Sequence, residues 1–157
     1  VRIGHTIAQG RQAMKVVRPL VAVVLAVSIA VLAAACSSGP QGGAIEARDW
    51  QVRAYADSSG RMQDAFLTVP LYARFENGSV AGTAGCSQFT ASYAISGTRL
   101  SITGLQVGTE TCDSYATQGR DTYMGALPLA DSYQVDGTDL TIFDAEGHQV
   151  LRLKEKP

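Results

Sequence analysis

The sequence predicts an α+β fold that is mainly β: a strongly bent antiparallel sheet or partly open barrel with one packed helix. Three observations predict it. Short alternating apolar runs recur from about Ile45 onward, turn residues separate them at close spacing, and one stretch breaks the rhythm with helical periodicity.

The elements follow in order. Trp50-Gln51-Val52-Arg53-Ala54-Tyr55 alternates and is expected as the opening strand. Residues 71–75 lead into Glu76-Asn77-Gly78-Ser79, and Asn-Gly is a strong hairpin signal because both turn positions favour positive φ. Residues 87–95 and 100–103 flank Ser96-Gly97-Thr98. Residues 132–135 meet 140–143 across Asp136-Gly137, and 149–153 follow Glu146-Gly147. The break lies between: Tyr115, Gly119, Thr122, Tyr123, Ala126 and Leu127 share one helical face, and Pro128 stops the run. Gly119 and Gly125 weaken this helix, so it must gain stability by packing, through Tyr115, Tyr123 and Leu127, against the sheet. The aromatics Trp50, Phe66, Tyr72, Phe75, Phe89, Tyr93, Tyr115 and Tyr123 are expected mostly in the core.

A different kind of segment precedes this domain. Residues 20–35 (LVAVVLAVSIAVLAAA) are apolar apart from Ser28, follow Lys15 and Arg18, and end in three alanines before Cys36. A basic start, a short apolar core and small residues at the cut are the parts of a secretory signal. Leu32-Ala33-Ala34-Ala35-Cys36 resembles the bacterial lipobox, with Ala33 where a larger aliphatic residue is usual. The run is short of the roughly 20 residues that span a bilayer. Residues 1–35 are therefore expected as leader and signal peptide, with Met14 as an alternative start, and Cys36 as a lipidated N-terminus. Residues 36–44 (CSSGPQGGA) form a flexible tether, and 45–157 the folded domain. The expected address is the cell membrane or outer membrane, on its extracytoplasmic side.

Charge changes at that boundary. All 14 acidic residues lie after Cys36, while Arg2, Arg11, Lys15 and Arg18 lie before it, so the remaining nine basic residues leave the mature chain at −5. No basic stripe is present, and nucleic acid is excluded as an expected partner.

Within the domain, Phe75, Gly78, Val80, Gly82, Gly85 and Cys86, followed by Phe89 and Tyr93, fall at a spacing that resembles the META domain, the family of the heat-shock protein HslJ. Trp50, Leu105 to Cys112, Tyr123, Leu127, Tyr133, Gly137, Leu140 and Gly147 extend the likeness over about residues 48–153. The chain departs from the pattern at Ser87, where asparagine is usual, at Gly108 for a threonine and at Arg120 for a glutamate. The resemblance implies no catalytic residue. It places cysteines at both Cys86 and Cys112, and an exported pair with Cys36 taken by lipid is expected to form a disulfide. Closing that loop would restrict the unfolded chain by about 3.5 kcal/mol on the entropy account. META domains have also been likened in fold to secretin pilotins, whose cracked barrel holds an acyl chain.

Candidate chemistry is sparse. His148 is the only histidine after Cys36 and sits in a turn, Ser87 and Ser92 have no evident base, and the glycines Gly78, Gly82 and Gly85 lack the lysine of a phosphate loop. Glu110, Asp113 and Asp121 could converge near the second cysteine, although helix capping and dipole pairing account for them more simply. No catalytic, cofactor or metal residue is assigned. The expected function is a non-enzymatic, lipid-anchored envelope protein in stress or maintenance, which the family association implies. A carrier of an acyl chain or hydrophobic peptide is the alternative, and a hydrolase the third. The expected partners are the membrane, through Cys36, and a hydrophobic ligand or another envelope protein.

Overall fold

The computed structural model describes residues 41–66 and 68–157. The expected signal segment, Cys36 and most of the expected tether lie outside them. Nine strands form one sheet: β1 (Asp49–Ala56), β2 (Met62–Asp64), β3 (Leu71–Glu76), β4 (Ser79–Ala84), β5 (Ser87–Ser96), β6 (Arg99–Val107), β7 (Ser132–Asp136), β8 (Asp139–Phe143) and β9 (Gln149–Glu155). Between β6 and β7 lie helix α1 (Ser114–Ala126) and a 3-10 turn, Leu127–Leu129.

The sheet closes on itself. Neighbours pair antiparallel in the order β1-β3-β4-β5-β6-β7-β8-β9, and β9 returns to β1 through Trp50↔Glu155 to Tyr55↔Leu151. Strand β2 is added outside this ring of eight. It shares one edge of β1 with β3, taking Ala54 to Ala56 while β3 takes Asp49 to Gln51. The ring is thinnest between β6 and β7, which meet at the single pair Arg99↔Ser132.

Local sequence explains the strands. In β5, Ser87, Phe89, Ala91 and Tyr93 point inward while their neighbours are exposed, the period of two that a half-buried strand requires. Asn77 and Gly78 adopt φ of 52° and 77°, so the Asn-Gly turn forms as its residues favour. The alternation of β1 holds to Arg53 and then breaks at a bulge against β9, after which Ala54, Tyr55 and Ala56 are all buried. Inside the barrel, Trp50, Phe75, Val80, Leu100, Leu140 and Leu151 are each at most 1% exposed.

The helix differs from expectation in its face. Tyr123 and Leu127 are buried, but Tyr115 is 65% exposed and packs only edge-to-face on Phe66, itself 37% exposed. Ala116 and Met124 are buried in its place. The reason is the approach at the first turn. Gly85 lies so close that a Cβ there would stand 2.7 Å from the Ala116 carbonyl oxygen, which leaves no room for a tyrosine ring on that side. Further along, Gly119 brings the helix against Val69, so the glycine that weakens the isolated helix permits its packing.

Candidate functional site

The two rims of the barrel are built differently. At the first rim, beside the Asn77-Gly78, Gly97-Thr98 and Gly137-Thr138 turns, the chain enters through a 3-10 turn, Gln41–Ala44. Ile45 is fully buried, and the Trp50 indole N–H donates to its carbonyl at 2.9 Å. Ala47 takes φ 56°, a left-handed conformation, and its N–H donates to the Phe75 carbonyl at 2.9 Å. Arg48 then fastens the segment. Its guanidinium donates to the carbonyls of Ala44 at 2.8 Å and Gly137 at 2.9 Å, ion-pairs with Glu155, and lies 4.6 Å from the Trp50 ring centre. The bond from Arg48 holds the Glu155 carboxyl below its usual range and raises the guanidinium in turn. Nearby the Tyr93 hydroxyl donates to the Glu46 carboxylate, and burial, reinforced by that bond, pushes Tyr93 up to about 12.

The second rim carries α1. Cys86 and Cys112 lie at disulfide distance, with Cα atoms 5.6 Å apart, joining the β4–β5 turn to the loop before the helix. Such a separation suits an unstrained bridge. The three carboxylates considered for acid–base work serve separate ends. Asp113 caps α1, accepting from the Ala116 N–H at 2.9 Å, Asp121 pairs with Arg120 at 2.9 Å, and the Glu110 carboxylate lies over Gly108. Arg120 also donates to the Glu110 carbonyl at 3.3 Å, so this side chain ties the helix to the cysteine loop. Tyr123 is wholly buried against Phe89, with ring centres 5.6 Å apart, and burial drives its hydroxyl pKa far upward. Neither that hydroxyl nor the buried Ser87 hydroxyl has a hydrogen-bond partner among the described residues.

Two surface clefts lie outside the barrel wall. One of about 390 Å³ follows the thin β6–β7 seam, lined by Thr98, Ser132, Tyr133 and Phe143. The other, of about 740 Å³, lies between α1, the 57–60 turn after β1 and the 144–148 turn before β9. Leu129, 54% exposed, Gly125 and Val150 give it an apolar floor, and Asp57, Asp121, Asp144 and His148 its polar margin. Asp57 is held far below the usual carboxylate range, chiefly by the Ser59 hydroxyl, and so serves its own turn. In the 144–148 turn, Asp144, Glu146 and His148 place one ligand atom each within 4.8 Å of the others.

Ser92 lies on the exposed face of β5, apart from the buried Ser87. Cys36 lies outside the described residues, as does the 20–35 run. Among the described residues no helix is long and apolar enough to cross a membrane.

Comparison with known proteins gives a fold and a family. An NMR structure of a protein from Burkholderia xenovorans is similar at 18% identity, covering 78% of this chain and 93% of that one, with a TM-score of 0.60. A crystal structure of a DUF4847 family protein from Bacteroides vulgatus is similar at 14% identity, covering 74% and 96%, with a TM-score of 0.52. At these identities the likeness concerns the fold alone. Among curated protein sequences none matches this chain. The family model of the META domain matches residues 43–157, nearly the whole folded part, and the chain belongs to the META domain family.

Proposed function

We propose that this META-domain chain is a lipid-anchored, non-enzymatic protein of the cell envelope, acting in envelope stress or maintenance through its surface rather than through a reaction centre. The filled barrel is the observation that carries this reading. Ile45 closes one rim, Tyr123 and Leu127 close the other, and the largest side chains between them are buried against one another. At the helix rim Asp113 caps the helix, Asp121 pairs with Arg120 and Asp57 serves its own turn. The address rests on the sequence: a basic start, an apolar run and three small residues ahead of Cys36. Two or three acyl chains on that cysteine give durable anchoring, because each buried methylene contributes about 0.8 kcal/mol.

The 740 Å³ cleft beside α1 supports the carrier reading in one respect, since Leu129 and Val150 offer apolar surface there. An acyl chain would have to lie in this open cleft, because the barrel interior is occupied by side chains.

Mass spectrometry of the protein extracted from its native envelope tests the main proposal. The expected N-terminus is acylated Cys36, and Cys36→Ser should leave the precursor uncleaved. An unmodified N-terminus elsewhere would remove the anchor. A stoichiometric co-extracted lipid in the same spectra would favour the carrier instead.

A further inference from the structure

We propose that the Cys86–Cys112 bridge is a thiol-exchange site, at which a small external thiol attacks Cys86 and Cys112 leaves as a thiolate beside Arg120. The two sulfurs sit in unlike surroundings. Cys86, in the β4–β5 turn, is exposed, while Cys112 is partly buried against the core. A thiolate arriving from solvent therefore meets the Cys86 sulfur first. The sulfur it would drive out has a cation beside it. Arg120 Nη1 stands 3.8 Å from Cys112 Sγ and 3.3 Å from the Glu110 carbonyl oxygen, so one guanidinium nitrogen spans both. Its Nε donates to Asp121 at 2.9 Å, which holds the guanidinium in that place. Cys112 also lies immediately before Asp113, the cap of α1, where the partial positive charge of the helix start adds to that of the arginine.

The step balances without an outside oxidant. A new S–S bond forms between the entering thiol and Cys86 Sγ, the bond from Cys86 to Cys112 breaks, and its electron pair leaves on Cys112. A sulfur departs faster as its thiol becomes more acidic. A cysteine beside an arginine or a helix N-terminus is more acidic than a free one. The carboxylates nearby are directed elsewhere: Asp113 to the Ala116 N–H, Asp121 to the arginine Nε, and Glu110 over Gly108. A bridge that only braced the loop would require neither an exposed sulfur at one end nor a cation at the other. Exposed bridges belong to the labile class, so this one responds to the thiol balance around the protein. Opening it frees the loop before α1 from the β4–β5 turn and leaves the helix to its apolar packing.

The test uses the full chain in detergent, with glutathione as the thiol. Peptide mapping before glutathione is added should find the bridge closed. After brief exposure and an acid quench, mass spectrometry should find glutathione on the Cys86 peptide and Cys112 free. In fully reduced protein, the pH at which Cys112 reacts with iodoacetamide should rise by about one pH unit in Arg120→Gln and return in Arg120→Lys. Opening of the bridge should slow by about three- to tenfold in the glutamine variant. Asp121→Asn removes the helix ion pair but keeps the cation, so its Cys112 midpoint should be no higher than in wild type; a purely structural Arg120 would make the two variants alike. Cys36 is read from its own peptide and does not enter the comparison. Glutathione on Cys112 instead of Cys86, or one Cys112 midpoint shared by wild type and Arg120→Gln, would overturn the site. So would two free thiols at the outset, or an opening rate that does not rise with glutathione, the mark of a bridge reached only through unfolding. Unchanged circular dichroism of the variants separates a lost cation from a lost fold.

Discussion

The rim through which the chain enters and the rim covered by α1 solve the same problem with different forces. Both must stop water reaching the end of a barrel whose interior is apolar. The entry rim does it with directed polar contacts around one buried side chain: Ile45 under the Trp50 N–H, and Arg48 spanning Ala44, Gly137 and Glu155. The helix rim does it with area and a covalent tie, burying Ala116, Tyr123, Met124 and Leu127 and linking Cys86 to Cys112. Among the described residues, the large hydrophobic side chains left exposed are Phe66, Tyr115 and Leu129, at the helix rim. A rim held by oriented hydrogen bonds is specified residue by residue, whereas one held by area tolerates change until a large side chain is lost.

The sharpest way to break that contrast is to remove a plug from each end. Leu127→Ala should lower the unfolding free energy by about 2–5 kcal/mol in denaturant titration. A loss below roughly half a kcal/mol would place Leu127 outside the core. Ile45→Ala should cost a comparable amount, but hydrogen exchange should then rise along residues 44–50 and leave α1 protected. Exchange rising equally at both rims would show that the two ends do not act separately.

The next effect is the bridge. Replacing Cys86 and Cys112 together by serine should cost about 3.5 kcal/mol if loop restriction dominates. Non-reducing peptide mapping of protein from the envelope should first find the two joined; two free thiols there would assign the helix rim to apolar packing alone.

A smaller change should have the opposite sign. The Tyr123 hydroxyl is buried without a partner among the described residues. Tyr123→Phe removes a desolvated group and should stabilise the domain by about 1 kcal/mol. A destabilised variant would mean that a bound water satisfies the hydroxyl.

The smallest effect lies at the entry rim and depends on pH. Glu155 has its folded pKa depressed by Arg48, so its contribution is present above the unfolded carboxyl value and is lost as pH falls through the lower folded value. Arg48→Ala should therefore lower Tm modestly near neutral pH, and the gap from wild type should close in acid. A gap that persists in acid strong enough to protonate Glu155 in the folded state would assign the role of Arg48 to its bonds with Ala44 and Gly137.

How much of this was legible depended on the range of the interaction. The Asn77-Gly78 turn, the alternation of β5 and the stop at Pro128 are settled by neighbouring residues, and all three stand as read. The face of α1 is settled by Gly85 from another hairpin, so Tyr115 was misplaced while Tyr123 and Leu127 were not. Strand β2 has only three residues, too few to show a period. Ring closure through β1 and β9 has no local signature at all. Glu110, Asp113 and Asp121 are near in sequence, yet the fold gives them separate neighbours: Gly108, the helix N-terminus and Arg120.

The pairing of β1 with β9 also sets an order of events. Tyr55 and Leu151 are neighbours in the ring but almost a hundred positions apart along the chain. A contact so distant in sequence is slow to form, because loop closure must precede any reward. While β9 is still being delivered, the β1 edge it will occupy has no partner, and an unpaired edge is a template for association with other chains. The barrel cannot lock until residue 155 has arrived, because Trp50 pairs with Glu155. After arrival the same contact makes a tight latch: losing β9 would remove the partner of both β1 and β8, opening the ring at one stroke rather than shortening it.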